Sequence, residues 1–230
     1  MPDWVEMTTT EGPTRGSREA ETGADAAGPA ETAPKKGRPG YDQQSVLDVA
    51  VAAFIDHGYD ATSMGLLAGR LGLSKAAIYH HFPAKTELLR AALDQALDGL
   101  EGVLTEDGAT HGSAEERLSH VLRGAVHVLV EKLPYVTLLL RVRGNTEVER
   151  NALDRRREFD KAVTDLVVAA RDDGTLRDDI DPRVTTRLLF GMINSIVEWY
   201  RPGGPETADQ LAADVLAVAL DGLRTQRSRK

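Results

Sequence analysis

Residues 62–82 decide the fold of this chain and read TSMGLLAGRLGLSKAAIYHHF. Their first half places four apolar side chains at helical spacing, namely Met64, Leu67, Ala68 and Leu71. Gly72 follows where the chain must reverse, a position that often needs the positive φ that glycine adopts at little cost. Ser74 can begin a second helix, because its side-chain oxygen accepts a hydrogen bond from an orphan backbone N–H. The stretch therefore predicts two short helices joined by a tight turn.

The spacing around this turn indicates how the two helices cross. Small Ala68 lies four residues before Gly72, and branched Ile78 lies six residues after it. Two helices joined by a short turn can cross at about 90–120° when a small side chain occupies the contact. This geometry is that of a helix-turn-helix, whose second helix is free to enter the major groove of DNA.

The second helix keeps a polar outward face after its core positions are subtracted. Its outward side chains are Lys75, Ala76, Tyr79 and His80. Such side chains can contact phosphates, base edges or a thymine methyl group, and we expect Lys75 to read a base. Thr62 and Ser63 can cap the first of the two helices or donate to phosphate, and Lys85 opens the next helix within reach of a phosphate. The predicted DNA contacts of this unit are therefore Thr62, Ser63, Ser74, Lys75, Ala76, Tyr79, His80 and Lys85.

At these residues the sequence resembles the TetR family of bacterial transcriptional regulators. GYDATSM (residues 58–64) and LAGRLGLSKAAIYHHFPAKTELL (residues 67–89) are similar to the N-terminal signature of that family. The resemblance implies an all-α fold, with an N-terminal three-helix helix-turn-helix domain and a C-terminal helical domain that binds ligand and dimerises. The alternative is an ordinary helical hairpin without a role in DNA binding.

Composition limits the remaining classes of function. The chain has 230 residues, enough for a sizeable core, and it contains no cysteine. It has six histidines but no metal-ligand spacing, and it lacks the Walker, HExxH and GxSxG motifs. We therefore expect no metal, no cofactor and no enzymatic activity. No apolar run approaches about 18 residues, and the start MPDWVEMTTTEG lacks signal-peptide features, so a cytoplasmic protein without a membrane partner is expected.

The charge distribution restricts how DNA can be bound. The whole chain has a net charge of −8, and residues 41–90 hold four Lys or Arg against five acids. Binding must therefore depend on a few placed cations and on helix N-termini. A basic arm at residues 35–40 supplies Lys35, Lys36 and Arg38 directly before the first helix. It resembles the minor-groove arms of other DNA-binding domains, and a solvated linker is the alternative.

Periodicity and capping patterns predict the organisation of the whole chain. Residues 1–40 are predicted to be a disordered extension, because they can bury too little apolar surface to offset the entropy of ordering. Residues 41–88 are assigned to the helix-turn-helix domain and residues 89–225 to the ligand-binding and dimerisation domain. A loop is expected at 106–112. Beyond the two helices of residues 62–82, helices are predicted at about 42–57, 85–106, 113–132, 134–143, 146–172, 182–200 and 207–224.

The last two predicted helices have wide apolar faces and are separated by the rigid loop Pro202-Gly-Gly-Pro205. In TetR-like proteins such a hairpin pairs with its twin in a four-helix interface, which implies a homodimer through these two helices. The alternative is that both faces only close the core of a monomer. A dimer would present two recognition helices to half-sites about one DNA turn apart, and hence to a palindromic operator.

A ligand would enter the interior of the second domain, since helical bundles hold apolar pockets with a few polar groups. The candidate contacts, each of which could instead be core or surface, are Tyr135, Arg141, Asn145, Phe159, Met192, Asn194 and Trp199. LLLRVRGNTEVER (residues 138–150) and GMINSIVEWYRPGG (residues 191–204) look similar to TetR-type regulators that respond to acyl-CoA thioesters. The resemblance implies a ligand-responsive repressor. The alternatives are a regulator of an uncharged hydrophobic metabolite or drug, and a DNA-binding protein without a small-molecule switch.

Overall fold

The computed structural model describes residues 42–224, which fold into helices joined by short connections. Within that range the helices are α1 (Gln43–His57), α2 (Met64–Leu71), α3 (Lys75–His81), α4 (Lys85–Thr105), α5 (Asp107–Thr110), α6 (Ala114–Glu131), α7 (Leu133–Arg141), α8 (Glu147–Asp172), α9 (Pro182–Trp199) and α10 (Ala208–Leu223). The all-α prediction is confirmed. The predicted extension 1–40, with the arm residues Lys35, Lys36 and Arg38, lies outside the described residues. No helix in the described range is long and apolar enough to cross a membrane.

Side-chain caps explain most of the helix starts. Seven helices begin with a side-chain oxygen that accepts a backbone N–H of the first turn, from Asp42, Ser63, Ser74, Ser113, Thr146, Asp181 and Thr207. At Ser113 the reciprocal bond from Glu116 completes a capping box. Each such cap contributes about 1 kcal/mol, so these helix starts are encoded locally.

Two helix starts differ from the sequence prediction. The predicted loop at 106–112 contains the single turn α5, which buries Ala109 and has no side-chain cap. One turn is too short for hydrophobic periodicity to reveal. Helix α7 begins at Leu133, one residue before the predicted start, because a proline in the first turn loses no intrahelical hydrogen bond.

Helices α1, α2 and α3 form the helix-turn-helix unit. Their shared core contains the fully buried side chains Val46, Ala50, Leu67 and Ile78. Gly72 has φ 63° and ends α2, and the N–H of Leu73 donates to the carbonyl of Ala68 at 3.0 Å. This bonding satisfies orphan carbonyls and turns the chain directly into α3.

Helix α4 leaves this unit and becomes a central helix of the remaining bundle, where it packs against α6, α7 and α8. Its buried face is almost entirely Leu and Ala, with Leu88, Leu89, Leu93 and Leu97 at 1% exposure or less. Helix α8 in turn packs against α9, and α10 packs mainly against α6. Helix α4 is therefore continuous between the helix-turn-helix unit and the bundle.

A second connection joins α1 to α7, which we call the α1–α7 clamp and define by Gln44, Asp48, Tyr135, Arg141 and the carbonyl of Ile55. The Tyr135 hydroxyl donates to the Asp48 carboxylate, and Gln44 Nε2 donates to Tyr135 Oη at 2.6 Å. Arg141 Nη1 donates to the Ile55 carbonyl at 2.8 Å. Burial, and then the Asp48 carboxylate, raise the pKa of the Tyr135 phenol. Polar bonds thus fix α7 to the helix-turn-helix unit at both ends of α7.

The outer faces of α9 and α10 expose large apolar side chains. Val184, Leu188 and Trp199 of α9 are 45%, 65% and 50% exposed, and Val218 of α10 is 69% exposed. The inward faces of the same helices carry buried Leu189, Ile193, Ile196, Leu211, Val215, Leu216 and Leu220. Helix α9 therefore presents three large apolar side chains, and α10 one, that the described chain leaves uncovered.

Candidate nucleic-acid interface and ligand cleft

The structure brings the outward residues predicted on α3 together on one exposed surface. Ser74, Lys75, Ala76, Tyr79 and His80 are all exposed, and we call these five residues the α3 face. The helix is held from behind by Ile78, which is fully buried, and its start is fixed by the bond from the Ala77 N–H to Ser74 Oγ at 3.2 Å. A rigid short helix thus presents a polar surface of the size that enters a major groove.

Lys75 lies back across α2 rather than along the outer edge of α3. A Cβ on Gly65 would lie 3.0 Å from Lys75 Cε and 3.4 Å from Lys75 Nζ, so the lysine stem covers this glycine. The hydroxyl of Ser63, which caps α2, lies 3.6 Å from the same Cβ position. An ammonium and a hydroxyl beside a helix N-terminus suit a phosphate. The orientation of Lys75 therefore favours contact with a DNA phosphate over the expected contact with a DNA base.

Thr62 and Lys85 do not have the positions that the sequence predicted. Thr62 is 1% exposed, and its hydroxyl donates to the carbonyls of Gly58 at 2.8 Å and Ala53 at 3.2 Å. It is therefore a buried structural residue, and its prediction as a phosphate donor is wrong.

Lys85 Nζ donates to the carbonyls of Tyr59 at 2.8 Å, Thr62 at 2.9 Å and Asp60 at 3.4 Å. It also lies 4.2 Å from the centre of the Tyr59 ring. An ammonium has three N–H donors, so none remains for a phosphate. The prediction for Lys85 is corrected accordingly: this residue anchors the start of α4 to the loop that precedes α2.

The other cations of this unit are also paired. Arg70 contacts Asp56 at 3.4 Å and His57 at 2.7 Å, and Arg90 pairs with Glu87 at 3.4 Å. Within residues 42–90, Lys75 is therefore the one cation without a protein partner. This supports the expectation that the unit does not act through a broad basic field.

A small apolar cavity lies inside the bundle, between α4, α6, α7, α8 and α9. Its volume is about 30 Å³, and its lining is Leu100, Ala125, Leu129, Val136, Leu139, Leu140, Arg156, Phe159, Asp160, Phe190, Ile193 and Asn194. Phe159 and Phe190 meet edge to face with ring centres 5.6 Å apart. These two rings close the cavity where α8 meets α9.

Next to the cavity lies an open cleft between α8 and α9, which we call the α8–α9 cleft. Its volume is about 850 Å³, and it shares Arg156, Asp160, Phe190 and Asn194 with the cavity. Its other side chains are strongly polar and include Arg157, Lys161, Asp165, Arg171, Asp181, Arg183 and Arg187. Asp160 lies between the two spaces, where burial raises the pKa of its carboxyl despite the opposing charges of Arg156 and Arg187. An apolar interior with a charged mouth suits an amphipathic ligand.

Two of the seven predicted ligand residues line the cavity, namely Phe159 and Asn194. Tyr135 and Arg141 instead belong to the α1–α7 clamp, and Asn145 uses its backbone N–H to donate to Glu149 at 2.6 Å. Trp199 is half exposed on α9, and Met192 lies in a groove between α9 and α10. The structure thus places these five residues outside the cavity, because each meets a partner or a surface that sequence spacing does not reveal.

Sequence reasoning missed Phe190 and the charged residues Arg156, Asp160, Arg183 and Arg187. A usable signal was present, since Arg156 and Asp160 are four residues apart, as are Arg183 and Arg187. Each pair therefore shares one face of its helix. Only the packing of α8 against α9 shows that these faces meet.

Comparison with known proteins agrees with this architecture. Residues 46–92 match the pattern of bacterial regulatory proteins of the tetR family, and residues 111–223 match the tetracyclin repressor-like C-terminal domain. The crystal structure of SCO3833, a member of the TetR transcriptional regulator family from Streptomyces coelicolor A3, is 53% identical with a TM-score of 0.73. The match covers 78% of this chain and 91% of that one.

The chain belongs to the TetR family. It is accordingly a DNA-binding transcriptional regulator with a helix-turn-helix, and not an enzyme.

Two further proteins resemble this TetR-family chain at lower sequence identity. The HTH-type transcriptional repressor KstR2 of Rhodococcus jostii is 28% identical over 201 residues, covering 84% of this chain and 94% of the relative. The structure of AibR in complex with isovaleryl coenzyme A and operator DNA has a TM-score of 0.65 at 24% identity. That match covers 76% of this chain and 96% of AibR, and it shows likeness of fold.

Proposed function

We propose that this TetR-family regulator is a homodimeric repressor that leaves its operator when a CoA thioester binds its C-terminal helical domain. DNA binding is assigned to residues 41–88, and effector binding and dimerisation to residues 89–225. Because the family is bacterial and acts on the chromosome, we place the protein in the cytoplasm. Repression is favoured by the similarity to KstR2, which is a transcriptional repressor.

The observation that carries the choice of effector is that the apolar cavity and the α8–α9 cleft are adjacent and share four lining residues. An acyl chain can be buried among apolar side chains only if its polar carrier finds a solvated, charged site next to them. An uncharged hydrophobic metabolite or drug would use the cavity, but it would make no use of the charged side chains of the α8–α9 cleft. The fold itself is compatible with this effector class, since AibR holds isovaleryl coenzyme A on a similar architecture.

The small size of the cavity suggests how ligand and DNA compete. A volume of about 30 Å³ holds little more than a water molecule, so an acyl chain must displace Phe159 or Phe190 and move the helices apart. The ligand thus prefers an expanded bundle over the compact one described here. A ligand shifts an equilibrium only by its differential affinity for the two states, and filling a closed cavity supplies such a difference.

Two structural connections can transmit this expansion to DNA. Helix α4 contributes Leu100 to the cavity and is fixed to the helix-turn-helix unit through Lys85. Helix α7 contributes Val136, Leu139 and Leu140 to the cavity and is fixed to α1 by the α1–α7 clamp. A tilt of either helix changes the separation of the two α3 faces in a dimer, whereas the spacing of DNA half-sites is fixed.

The proposed dimer interface is the exposed apolar surface of α9 and α10. Leu188 and Val218 line one apolar groove between α9 and α10, and Val184 and Trp199 are exposed on the same helix as Leu188. Grouped exposed apolar side chains mark interaction sites. A second copy of the chain can cover these side chains with the same surface, because a two-fold interface is self-complementary.

The proposed DNA contacts are the α3 face together with Ser63. The basic arm Lys35, Lys36 and Arg38 remains a candidate minor-groove contact. Its test is truncation: removal of residues 1–34 should leave DNA affinity intact, and removal of residues 1–40 should weaken it and lower its salt dependence. Equal binding by both truncated chains would assign the arm to a linker.

The function is tested by adding acyl-CoAs to a protein–DNA complex. An operator is first selected by the protein from random duplexes, and its release is followed by fluorescence anisotropy. We expect hexanoyl-CoA to release the operator and free hexanoate to leave it bound. If a panel of acyl-CoAs of different chain lengths neither binds the protein nor changes operator affinity, the effector class is wrong, although the DNA-binding assignment stands.

A further inference from the structure

The α8–α9 cleft has a charge opposite to that of the protein. The chain has a net charge of −8, whereas the cleft is lined by six arginine or lysine side chains and three aspartates. In an acidic protein, a local excess of cations needs a reason, because like charges placed near one another repel. The composition of the cleft therefore points to an anionic ligand.

Three of these cations are available to a ligand. The guanidinium groups of Arg156, Arg183 and Arg187 have no hydrogen-bond or ion-pair partner among residues 42–224. By contrast, Lys161 pairs with Asp165 at 2.8 Å, and Arg171 pairs with Asp172 at 3.0 Å. The available charges thus line the α8–α9 cleft, and Arg156 also lines the cavity.

The carboxylates of the cleft neutralise these three arginines only in part. Asp181 accepts the backbone N–H groups of Arg183 and Val184 at 2.8 and 3.2 Å and so caps α9. Asp165 is held by Lys161. Asp160 is close enough to Arg156 and Arg187 to influence them electrostatically, but it forms no ion pair with either. The excess positive charge therefore remains open to solvent and to ligand.

The backbone places these guanidinium groups on two facing helices. Arg183 and Arg187 are one helical turn apart on α9, and Arg156 approaches from α8. The helices are held together between Arg156 and Arg183 by the Phe159–Phe190 contact and by the bond between the Thr164 and Thr186 hydroxyls at 3.0 Å. Arginine forks fixed on packed helices are suited to binding phosphate oxygens in pairs.

We infer that Arg156, Arg183 and Arg187 form a phosphate-binding subsite that holds the nucleotide end of a CoA thioester. This inference rests on the proposed function and assigns the two ends of the effector to two spaces. The phosphates lie in the α8–α9 cleft, and the acyl chain passes Phe190 into the cavity. A free fatty acid brings one carboxylate and would leave most of this charge unused, so the subsite distinguishes a CoA thioester from its free acid.

Asp160 has a role at the junction of the two spaces. Its carboxylate has no hydrogen-bond partner in the described chain and faces both cavity and cleft. The arm that joins the nucleotide of CoA to its thioester carries amide N–H donors, and a carboxylate is an acceptor for such groups. The junction therefore supplies an acceptor between the anionic end and the apolar end of the ligand.

The test compares ligands with and without phosphates on one pair of variants. The cleft variant is Arg183→Gln with Arg187→Gln, and the control is Arg123→Gln with Arg143→Gln. The control removes the same charge from exposed arginines outside the cleft whose guanidinium groups have no partner in the part of the chain that the structure describes. The probes are hexanoyl-CoA, 3′,5′-ADP and hexanoyl-pantetheine, which has no phosphate. Calorimetry measures the affinity of each, and thermal melting checks that every variant is folded.

We expect the cleft variant to lose at least about tenfold in affinity for hexanoyl-CoA and 3′,5′-ADP, because charge-assisted hydrogen bonds are the strong ones. Its affinity for hexanoyl-pantetheine should be unchanged, and the control should bind all three probes as the unmodified chain does. Unchanged affinity of the cleft variant for hexanoyl-CoA would overturn the subsite, as would failure of all three probes to bind the unmodified chain.

The subsite and the proposed function fail in different ways. If hexanoyl-CoA binds through the arginines but leaves operator affinity unchanged, the subsite stands and the proposed switch is wrong. If hexanoyl-CoA releases the operator equally well from the cleft variant, the switch stands and the phosphate subsite is wrong.

Discussion

The α3 face and the α8–α9 cleft are both proposed to bind phosphates, yet they use charge in opposite ways. Around the α3 face, within residues 42–90, Arg70, Lys85 and Arg90 are occupied by protein partners and Lys75 remains available. In the cleft, three arginines form no hydrogen bond or ion pair with residues 42–224. DNA binding at α3 must therefore depend on the placement of a few groups, whereas ligand binding in the cleft depends on accumulated charge.

The difference extends to how each surface is positioned. The α3 face is fixed by local features, since Ser74 caps the helix and Gly72 turns the chain. The cleft is formed by two long helices that meet through a few contacts, such as the Phe159–Phe190 pair. A locally fixed surface recognises a constant partner such as DNA, whereas a surface between packed helices can change shape when a ligand enters.

The largest expected effect concerns Lys85, whose ammonium binds three backbone carbonyls and does not contribute to the α3 face. Replacement by Met, of similar length, should lower the free energy of unfolding by about 2–3 kcal/mol, because a hydrogen-bonded charged group is lost from three carbonyls. Urea unfolding measures this change. Lys161→Met, at an exposed pair on α8, is the matched control and should leave stability nearly unchanged. A Lys85→Met protein of native stability with weakened DNA binding would return this residue to the phosphate contacts.

The next largest effect is expected at Lys75, and its measurement distinguishes contacts with the DNA backbone from contacts with DNA bases. Since its ammonium lies over α2 beside Ser63, Lys75→Ala should weaken operator and random DNA about equally and reduce the salt slope by about one. His80→Ala, on the same α3 face, serves as the comparison. If His80 reads a base, this change should reduce the difference in binding free energy between operator and random DNA by about 1–3 kcal/mol. Loss of discrimination on Lys75→Ala would restore this residue as a base reader.

The corrected residues show which parts of the structure could be predicted from the sequence. The caps at Ser63 and Ser74 and the turn at Gly72 are local, and the sequence predicts them because each depends on neighbours a few residues away. Lys85 and Tyr59 are 26 residues apart, so their contact depends on tertiary packing. A lysine after Phe82-Pro83 is equally compatible with a phosphate contact until that packing is known.

The ligand site was harder to predict for the same reason. Phe159 was predicted by its type and position, and Asn194 because an amide among apolar neighbours on its helix needs a buried partner. The cleft arginines look like an ordinary solvated face, and their significance depends on α8 packing against α9. Tyr135 was selected by residue type, but it is the hydrogen bond with Asp48, 87 residues away, that places its side chain between α7 and α1.

A smaller effect tests transmission through the α1–α7 clamp. Tyr135→Phe removes the hydroxyl that Asp48 and Gln44 share and should cost about 1 kcal/mol of stability. It should also reduce the coupling between effector and operator, measured as the change in operator affinity at saturating hexanoyl-CoA. Thr137→Val is the control, because that hydroxyl bonds only within α7, to Leu133. Equal coupling in both variants would leave α4 as the route.

The smallest expected effect is a pH dependence of stability at Asp160. Burial raises the pKa of this carboxyl above its ordinary value of 3.8, so its ionisation opposes folding. The contribution is favourable below the ordinary pKa and is lost as the pH rises through the raised value. The free energy of unfolding of Asp160→Asn, relative to the unmodified chain, should therefore increase across that window and then level off. A flat difference would show that Asp160 titrates normally.

The central claim, that effector and operator oppose each other through one protein, is tested most directly by reciprocity. Hexanoyl-CoA is titrated by calorimetry into the protein alone and into the protein saturated with its selected operator. Thermodynamic linkage requires that a ligand that weakens DNA binding is itself weakened by DNA by the same factor. For a typical coupling, we expect the operator to lower hexanoyl-CoA affinity by roughly 5–150-fold. An affinity that is the same with and without operator would contradict the account.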